Sequence, residues 1–155
     1  DVEVIRRVAE VGELQPDWEL VVTLGGNIEP EAVGVVPDNV HVFNWVPQLK
    51  LLSVAQCAVI HAGMISINEC LWCGVPMLFY PIRGDQLGNA ARLSAHGLGI
   101  TGDRRRDRSQ DMAARIAGLI QDPGMSGRMD RIRRTLAAYE QNSVLESAVA
   151  ELLRD

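Results

Sequence analysis

The stretch that decides the fold runs from Trp45 to Gln86: Trp45-Val46-Pro47-Gln48, then His61-Ala62-Gly63-Met64-Ile65-Ser66-Ile67-Asn68-Glu69, then Gly74-Val75-Pro76, and finally Asp85-Gln86. Strand-like, glycine-bearing and helix-like pieces alternate along it. In the middle, Cys57-Ala58-Val59-Ile60 is a short apolar run, the pattern of a strand buried on both faces. His61 closes it, Ala62-Gly63 make a turn, and from Ser66 a helical pattern sets in with Ile67, Cys70, Leu71 and Gly74. A helix start offers unpaired backbone N–H groups and the positive end of the helix dipole. A glycine beside it allows a phosphate to approach the backbone, so this junction suits a diphosphate without a lysine. His61 and Ser66 add side-chain donors.

Glu69 has two readings. Ser66-Ile67-Asn68-Glu69 fits a capping box, in which Glu69 bonds back to the helix start. Alternatively, its carboxylate accepts the two hydroxyls of a ribose beside the phosphates.

The flanking junctions follow the same plan. Val75 to Tyr80 reads as a buried strand, Pro81 to Gly84 as a loop, and Asp85-Gln86 as the start of a helix. Asp85 is either an N-cap or, with Gln86, a polar pair for sugar hydroxyls. Upstream, Val40 to Asn44 reads as a strand and Leu49 to Val54 as a helix, with Pro47 suited to its first turn. Trp45 between them is either a core aromatic or a plane on which a nucleobase stacks.

The order W-x-P-Q, H-A-G-x-x-S-x-x-E, G-V-P and D-Q resembles the donor-binding signature of the family 1 glycosyltransferases, which include glucuronosyltransferases and bacterial macrolide and antibiotic glycosyltransferases. The short spacing from Gln48 to His61 and the H-A-G-M sequence resemble the bacterial branch. The resemblance implies a Rossmann-like parallel sheet with helices on both faces, the carboxyl-terminal half of a GT-B enzyme. It implies that residues 1–155 form a nucleotide-sugar donor domain lacking its first strand and glycine loop, with the amino-terminal acceptor domain outside this chain.

Position by position, the resemblance gives Trp45 the uracil or thymine ring, and Val46 and Gln48 the base edge. It gives Glu69 the ribose hydroxyls, and His61, Gly63, Met64 and Ser66 the diphosphate region. Asp85 and Gln86 hold the transferred sugar. Plant members often carry Trp-Asn where this chain has Met64-Ile65, so Ile65 puts an apolar β-branched residue in place of a polar contact. The implied reaction is inverting transfer of a hexose from a UDP- or dTDP-sugar to the hydroxyl of a small-molecule natural product. The base belongs to the amino-terminal half, since none of His41, His61 and His96 matches it. No cofactor or metal is implied, and the isolated chain is expected to be inactive.

The rest of the chain is consistent with one α/β domain. Its 155 residues suffice for a core, and 47% hydrophobic with 23% charged residues is ordinary globular composition. A net charge of −5 disfavours nucleic acid as a partner. No apolar run has the length of a membrane span. Cys70-Leu71-Trp72-Cys73 has no second pair with which to bind zinc and reads as core thiols, which suits the cytoplasm.

Residues 2–14 form an amphipathic helix, and strands fall near 19–24, 40–44, 57–61, 76–80 and 98–100. Residues 27–39 read as a loop with one helical turn. Gly97 ends the helix that begins after Gln86. Gly102 to Asp107, with Arg104, Arg105, Arg106 and, just beyond, Arg108, is either a contact for phosphate or an acidic partner or, the preferred reading, a solvated turn. Met112, Ala113, Ile116 and Ile120 share one helical face, and Met125, Met129, Ile132, Leu136 and Tyr139 another. Ser143 to Glu146 starts a last amphipathic helix. A nucleotide-sugar binding module without chemistry is the alternative function. A dehydrogenase would need a G-x-G-x-x-G turn that Gly25-Gly26 does not supply.

Overall fold

The computed structural model describes residues 2–26 and 28–141. Among the described residues there are five short parallel strands and six α-helices: α1 Val2–Leu14, β1 Leu20–Thr23, β2 Val40–Phe43, α2 Gln48–Leu52, β3 Ala58–Ile60, α3 Met64–Cys73, β4 Met77–Phe79, α4 Gln86–Ala95, β5 Gly99–Thr101, α5 Ser109–Gln121 and α6 Met125–Gln141. A single 3-10 turn, Pro30–Ala32, interrupts the loop between β1 and β2. Each strand lies within or beside the run that predicts it. The expected helix after Ser143 falls outside the described residues.

The strands form two parallel sheets, β1-β2 and β3-β4-β5. Leu20 pairs with Val40 and Thr23 with Phe43. Ala58 pairs with Met77 and Ile60 with Phe79, while Met77 pairs with Gly99. Parallel neighbours need crossover connections: α3 and α4 supply them in β3-β4-β5, and the loop with the 3-10 turn joins β1 to β2. Right-handed crossovers place α3 and α4 on one face of β3-β4-β5. α1 packs against α5, and α5 lies against β4 and β5.

The main core lies around β4, whose Met77, Leu78 and Phe79 are all inaccessible to solvent. Ile67 and Cys70 of α3, Met112 of α5 and Met129 of α6 pack onto the same core. The apolar stripe of α5 and that of α6 as far as Leu136 thus face inward as their spacing predicts, with Ile132 and Leu136 partly buried against the core, while the Tyr139 side chain lies outside the described ones. A second cluster joins Ala9 of α1 to Val22, Leu24, Val33 and Val40. Gly74 and Gly97 end α3 and α4 in the left-handed region, with φ of 75° and 67°.

One expectation is corrected here. The β3 run reads as buried on both faces, yet Ala58, Val59 and Ile60 are each only half-buried. Its composition is that of a central strand, but among the described residues only one of its edges is paired.

The three cysteines are free thiols, with Cys70 buried and Cys57 and Cys73 partly so. Burial pushes the Cys57 and Cys70 thiols up to about 12.

Candidate nucleotide-sugar site

Parallel strands bring their carboxyl ends to a common edge within each sheet, and in such sheets ligands bind there. At the end of β2, the chain turns through Trp45 and Pro47 into α2. The Pro47 carbonyl accepts from the amides of Lys50 and Leu51, so this proline opens the helix. Trp45 is 76% exposed, which removes the core-aromatic reading and leaves an indole face open to a ligand.

At the end of β3 the backbone turns through Ala62, a non-glycine residue in the left-handed region with φ of 64°. Its side chain is fully buried and its carbonyl accepts a hydrogen bond from Asn89 Nδ2 at 3.2 Å, which hold it there. Gly63 itself is extended, with φ of −72°. Glycine is required at 63 by space. A Cβ there would lie 2.6 Å from His61 Nε2, so the imidazole stands over Gly63.

α3 then starts at Met64, two residues ahead of its expected start at Ser66. Gly63 caps it without a side chain, so no side-chain oxygen occupies the amides of the first turn. Met64 and Ile65 project from this turn, 49% and 78% exposed. Ser66 lies inside the helix and caps nothing, so the capping-box reading fails. Glu69 points instead to the first junction, where its Oε2 accepts from Gln48 Nε2 at 2.5 Å.

At the third junction, Asp85 occupies the N-cap position of α4 without making a side-chain cap. Its Oδ2 accepts from Asn89 Nδ2 at 2.8 Å. Gln86 Oε1 accepts from the amides of Ile82 and Arg83, at 2.8 and 3.0 Å, and so shapes the loop. Its NH2 group is the part of the side chain left to donate to a ligand.

The junctions are therefore joined in series. Gln48–Glu69 ties the first to the second, and Asn89 ties the second to the third through Ala62 and Asp85. Sequence reasoning missed Asn89. The available signal was its position four residues after Asp85, one helical turn along the same face.

The loop after β5 also departs from the solvated turn expected of it. Asp107 is 6% exposed, and its Oδ2 accepts from Tyr80 Oη at 2.9 Å, Arg115 Nε at 2.9 Å and the Asp103 amide at 3.0 Å. Arg7 of α1 donates to the carbonyls of Asp107 and Arg104, at 2.5 and 2.7 Å. Burial alone would raise the Asp107 carboxyl, but the hydrogen bonds from Arg115, Tyr80 and the Asp103 amide outweigh it and hold it below the usual carboxylate range. Burial and the neighbouring carboxylate push the Tyr80 phenol up. Arg105 and Arg106 remain exposed. A shallow groove lined by Trp72, Arg133 and Arg134 lies at the far end of α3, away from the ligand edge.

This arrangement is that of a parallel α/β domain with its polar residues at the strand ends, and comparison with known proteins places it more closely. Residues 5–151 match the family described as "Erythromycin biosynthesis protein CIII-like, C-terminal domain", and the chain belongs to that family. It is 37% identical over 124 residues to oleandomycin glycosyltransferase of Streptomyces antibioticus, covering 79% of this chain and 28% of that protein. The crystal structure of the glycosyltransferase of kitacinnamycin superposes with a TM-score of 0.80 at 36% identity, covering 85% of this chain and 34% of that one. The glycosyltransferase VinC in complex with dTDP shares the fold, with a TM-score of 0.75 at 23% identity over 99% of this chain and 36% of that one. The fold is the Rossmann-like carboxyl-terminal half of a GT-B glycosyltransferase, and the chain spans about a third or less of the length of these relatives. Among the described residues, no helix is long and apolar enough to cross a membrane.

Proposed function

We propose that this domain binds the UDP- or dTDP-sugar donor of an inverting hexosyltransferase that acts on a hydroxyl of a small natural product. The observation that carries the reading is the serial linkage of Gln48–Glu69 and Asn89, which fixes an exposed indole, an uncapped helix start and a polar loop at the ligand edge. Membership of a family with antibiotic glycosyltransferase relatives supports the reading.

In this account Trp45 stacks on the pyrimidine, and the Val46 backbone and Gln48 meet its edge. Glu69 is oriented by Gln48, which leaves Oε1 and a second lone pair on Oε2 for the ribose hydroxyls. The diphosphate lies at the α3 start beside His61, Gly63, Met64 and Ser66, where backbone N–H groups and the helix dipole favour negative charge. Asp85 and the Gln86 NH2 group take the sugar hydroxyls.

The acceptor oxygen bonds to the anomeric carbon as the bond from that carbon to the diphosphate oxygen breaks. The bonding pair leaves on the nucleoside diphosphate, and the acceptor proton passes to a base in the acceptor half of the enzyme. This domain's share of catalysis is positioning and stabilisation of the leaving diphosphate.

Trp45 fluorescence provides the test. Titration with UDP or dTDP should quench the exposed indole saturably, and NAD should not. A signal equal for all three, or retained in Trp45→Phe, would remove the stacking assignment.

A further inference from the structure

The end of β4 changes character at one residue. Met77, Leu78 and Phe79 are apolar and inaccessible to solvent, and Tyr80, which follows them, is nearly as deeply buried but carries a hydroxyl. Its amide donates to the Ile60 carbonyl, which ties its backbone to β3. Its hydroxyl donates to Asp107 Oδ2 at 2.9 Å. Arg115 grips the same carboxylate through Nε and Nη2, at 2.9 and 3.2 Å, and the Asp103 amide donates to it at 3.0 Å.

The loop after β5 is moulded on this tyrosine. The Gly102 amide donates to the Phe79 carbonyl. A Cβ at Gly102 would lie 2.4 Å from the Tyr80 ring and 2.6 Å from Asp107 Oδ2, so the backbone there is pressed against both. Arg7 of α1 holds the loop by the carbonyls of Arg104 and Asp107.

Stability alone does not call for such a network. A buried ion pair offsets its own desolvation only narrowly, and well-packed apolar side chains in its place are often as stable or more so. What a fully bonded buried network supplies is a single arrangement of the groups that it joins. Here it joins the root of the ligand edge. Tyr80 leads directly into Pro81 and four exposed residues, 82–85, the last of which is Asp85. From there the hydrogen bonds run forward into α4: the Ile82 and Arg83 amides donate to Gln86 Oε1, and Asp85 accepts from Asn89. The loop is thus set from two ends, by α4 at one and by Tyr80 at the other.

We propose that Tyr80 and Asp107 are positioning residues for the transferred sugar: the bond between them sets the root of loop 81–84 and, through it, the places of Asp85 and Gln86. This role rests on the donor-site reading and adds to it a control that lies beneath the site and touches no ligand. A displacement of about 1 Å at the root is enough to spoil hydrogen bonds to sugar hydroxyls. The pyrimidine and diphosphate contacts belong to the other two junctions, which Gln48 and Glu69 join, and are spared.

Two mild variants test the proposal. Tyr80→Phe keeps the ring and removes only the hydroxyl, and Asp107→Asn keeps the shape of the carboxylate. Calorimetry of the parent and the variants with UDP and UDP-glucose, and with dTDP and dTDP-glucose, gives the ratio of sugar-nucleotide affinity to nucleotide affinity. Each single variant should lower that ratio about fivefold while affinity for the bare nucleotide stays within about twofold. The double variant should lower the ratio no further than either single one, because the two side chains act through one bond. Amide exchange gives a second readout without ligand. The Ile82 and Arg83 amides should exchange about fivefold faster in Tyr80→Phe. A purely structural role would instead speed exchange in β4 and leave these loop amides unchanged, since loop amides open locally.

Parallel losses for nucleotide and sugar nucleotide would overturn the proposal, as would an unchanged ratio in both series or unchanged exchange at Ile82 and Arg83. A parent chain that binds neither UDP nor dTDP would overturn the donor-site reading itself, and the positioning role with it.

Discussion

Gln48 Nε2 donates to Glu69 Oε2 across 2.5 Å, joining the first turn of α2 to the middle of α3. The two residues are 21 positions apart and both are half-buried. The bond orients the carboxylate and fixes the loop bearing Trp45. A charge-assisted bond of this kind contributes about 1.5 kcal/mol. Gln48→Ala should lower stability by about that amount in urea titration, and the Gln48→Ala/Glu69→Ala cycle should show coupling of about 1 kcal/mol. Additive effects would mean that the two side chains do not meet in solution.

Glycines at 63 and 99 should respond differently to the same methyl group. A Cβ at Gly63 meets the end of the exposed His61 side chain, which can swing away. Gly63→Ala should cost less than about 1 kcal/mol in stability while weakening nucleotide binding, because the imidazole is displaced from the α3 start. A Cβ at Gly99 would lie 2.2 Å from the Met77 carbonyl oxygen and 2.7 Å from the Phe79 ring. Backbone in a sheet cannot yield cheaply, so Gly99→Ala should cost about 3 kcal/mol. Urea midpoints of the two variants check the contrast.

Asp107 should dominate the acid limb of the stability profile. Its carboxyl is depressed in the folded protein because hydrogen bonds from Arg115, Tyr80 and the Asp103 amide outweigh its burial. The stability it contributes is therefore complete above the unfolded carboxyl value of about 3.9 and is lost as pH falls through the lower folded value. Asp107→Ala leaves Tyr80 and Arg115 without their acceptor and should cost about 3 kcal/mol at neutral pH. In the variant, the decline in stability below pH ~4 should be shallower than in the parent. An unchanged acid slope would contradict the network.

Thiol reactivity should follow burial. With their thiols pushed up to about 12, Cys57 and Cys70 carry almost no thiolate at pH ~8. A disulfide reagent should leave both unmodified in the folded chain and label them on unfolding in urea. Rapid labelling of either in the native state would contradict its placement.

The order of strands and helices was legible because the apolar runs are short and each is closed by glycine, proline or a polar cap. The stripes of α5 and α6 were equally plain, since Met112, Ile116, Met125 and Met129 recur at helical spacing and are all buried. Local cap chemistry was less legible. Ser66-x-x-Glu69 matches a capping box in one dimension, but α3 begins at Met64 and Glu69 is claimed by a residue on another helix. The arginine-rich turn misled for a related reason. Asp107 looks like one more surface charge until the fold brings Tyr80 and Arg115 to it from 27 and 8 residues away. The half-burial of β3 follows from its place at the end of the β3-β4-β5 order among the described residues, which the local run of Ala58, Val59 and Ile60 does not encode.

The central claim is that the edge formed by Trp45, Gln48, His61, the α3 start and Glu69 binds a pyrimidine nucleoside diphosphate. Calorimetric titration of this chain and of Glu69→Ala with UDP and dTDP tests it most directly. The account predicts saturable binding that weakens about tenfold or more in the variant, the loss expected when a half-buried carboxylate no longer accepts from the ribose. Equal affinity in parent and variant, or no heat with either nucleotide at millimolar concentration, would contradict it.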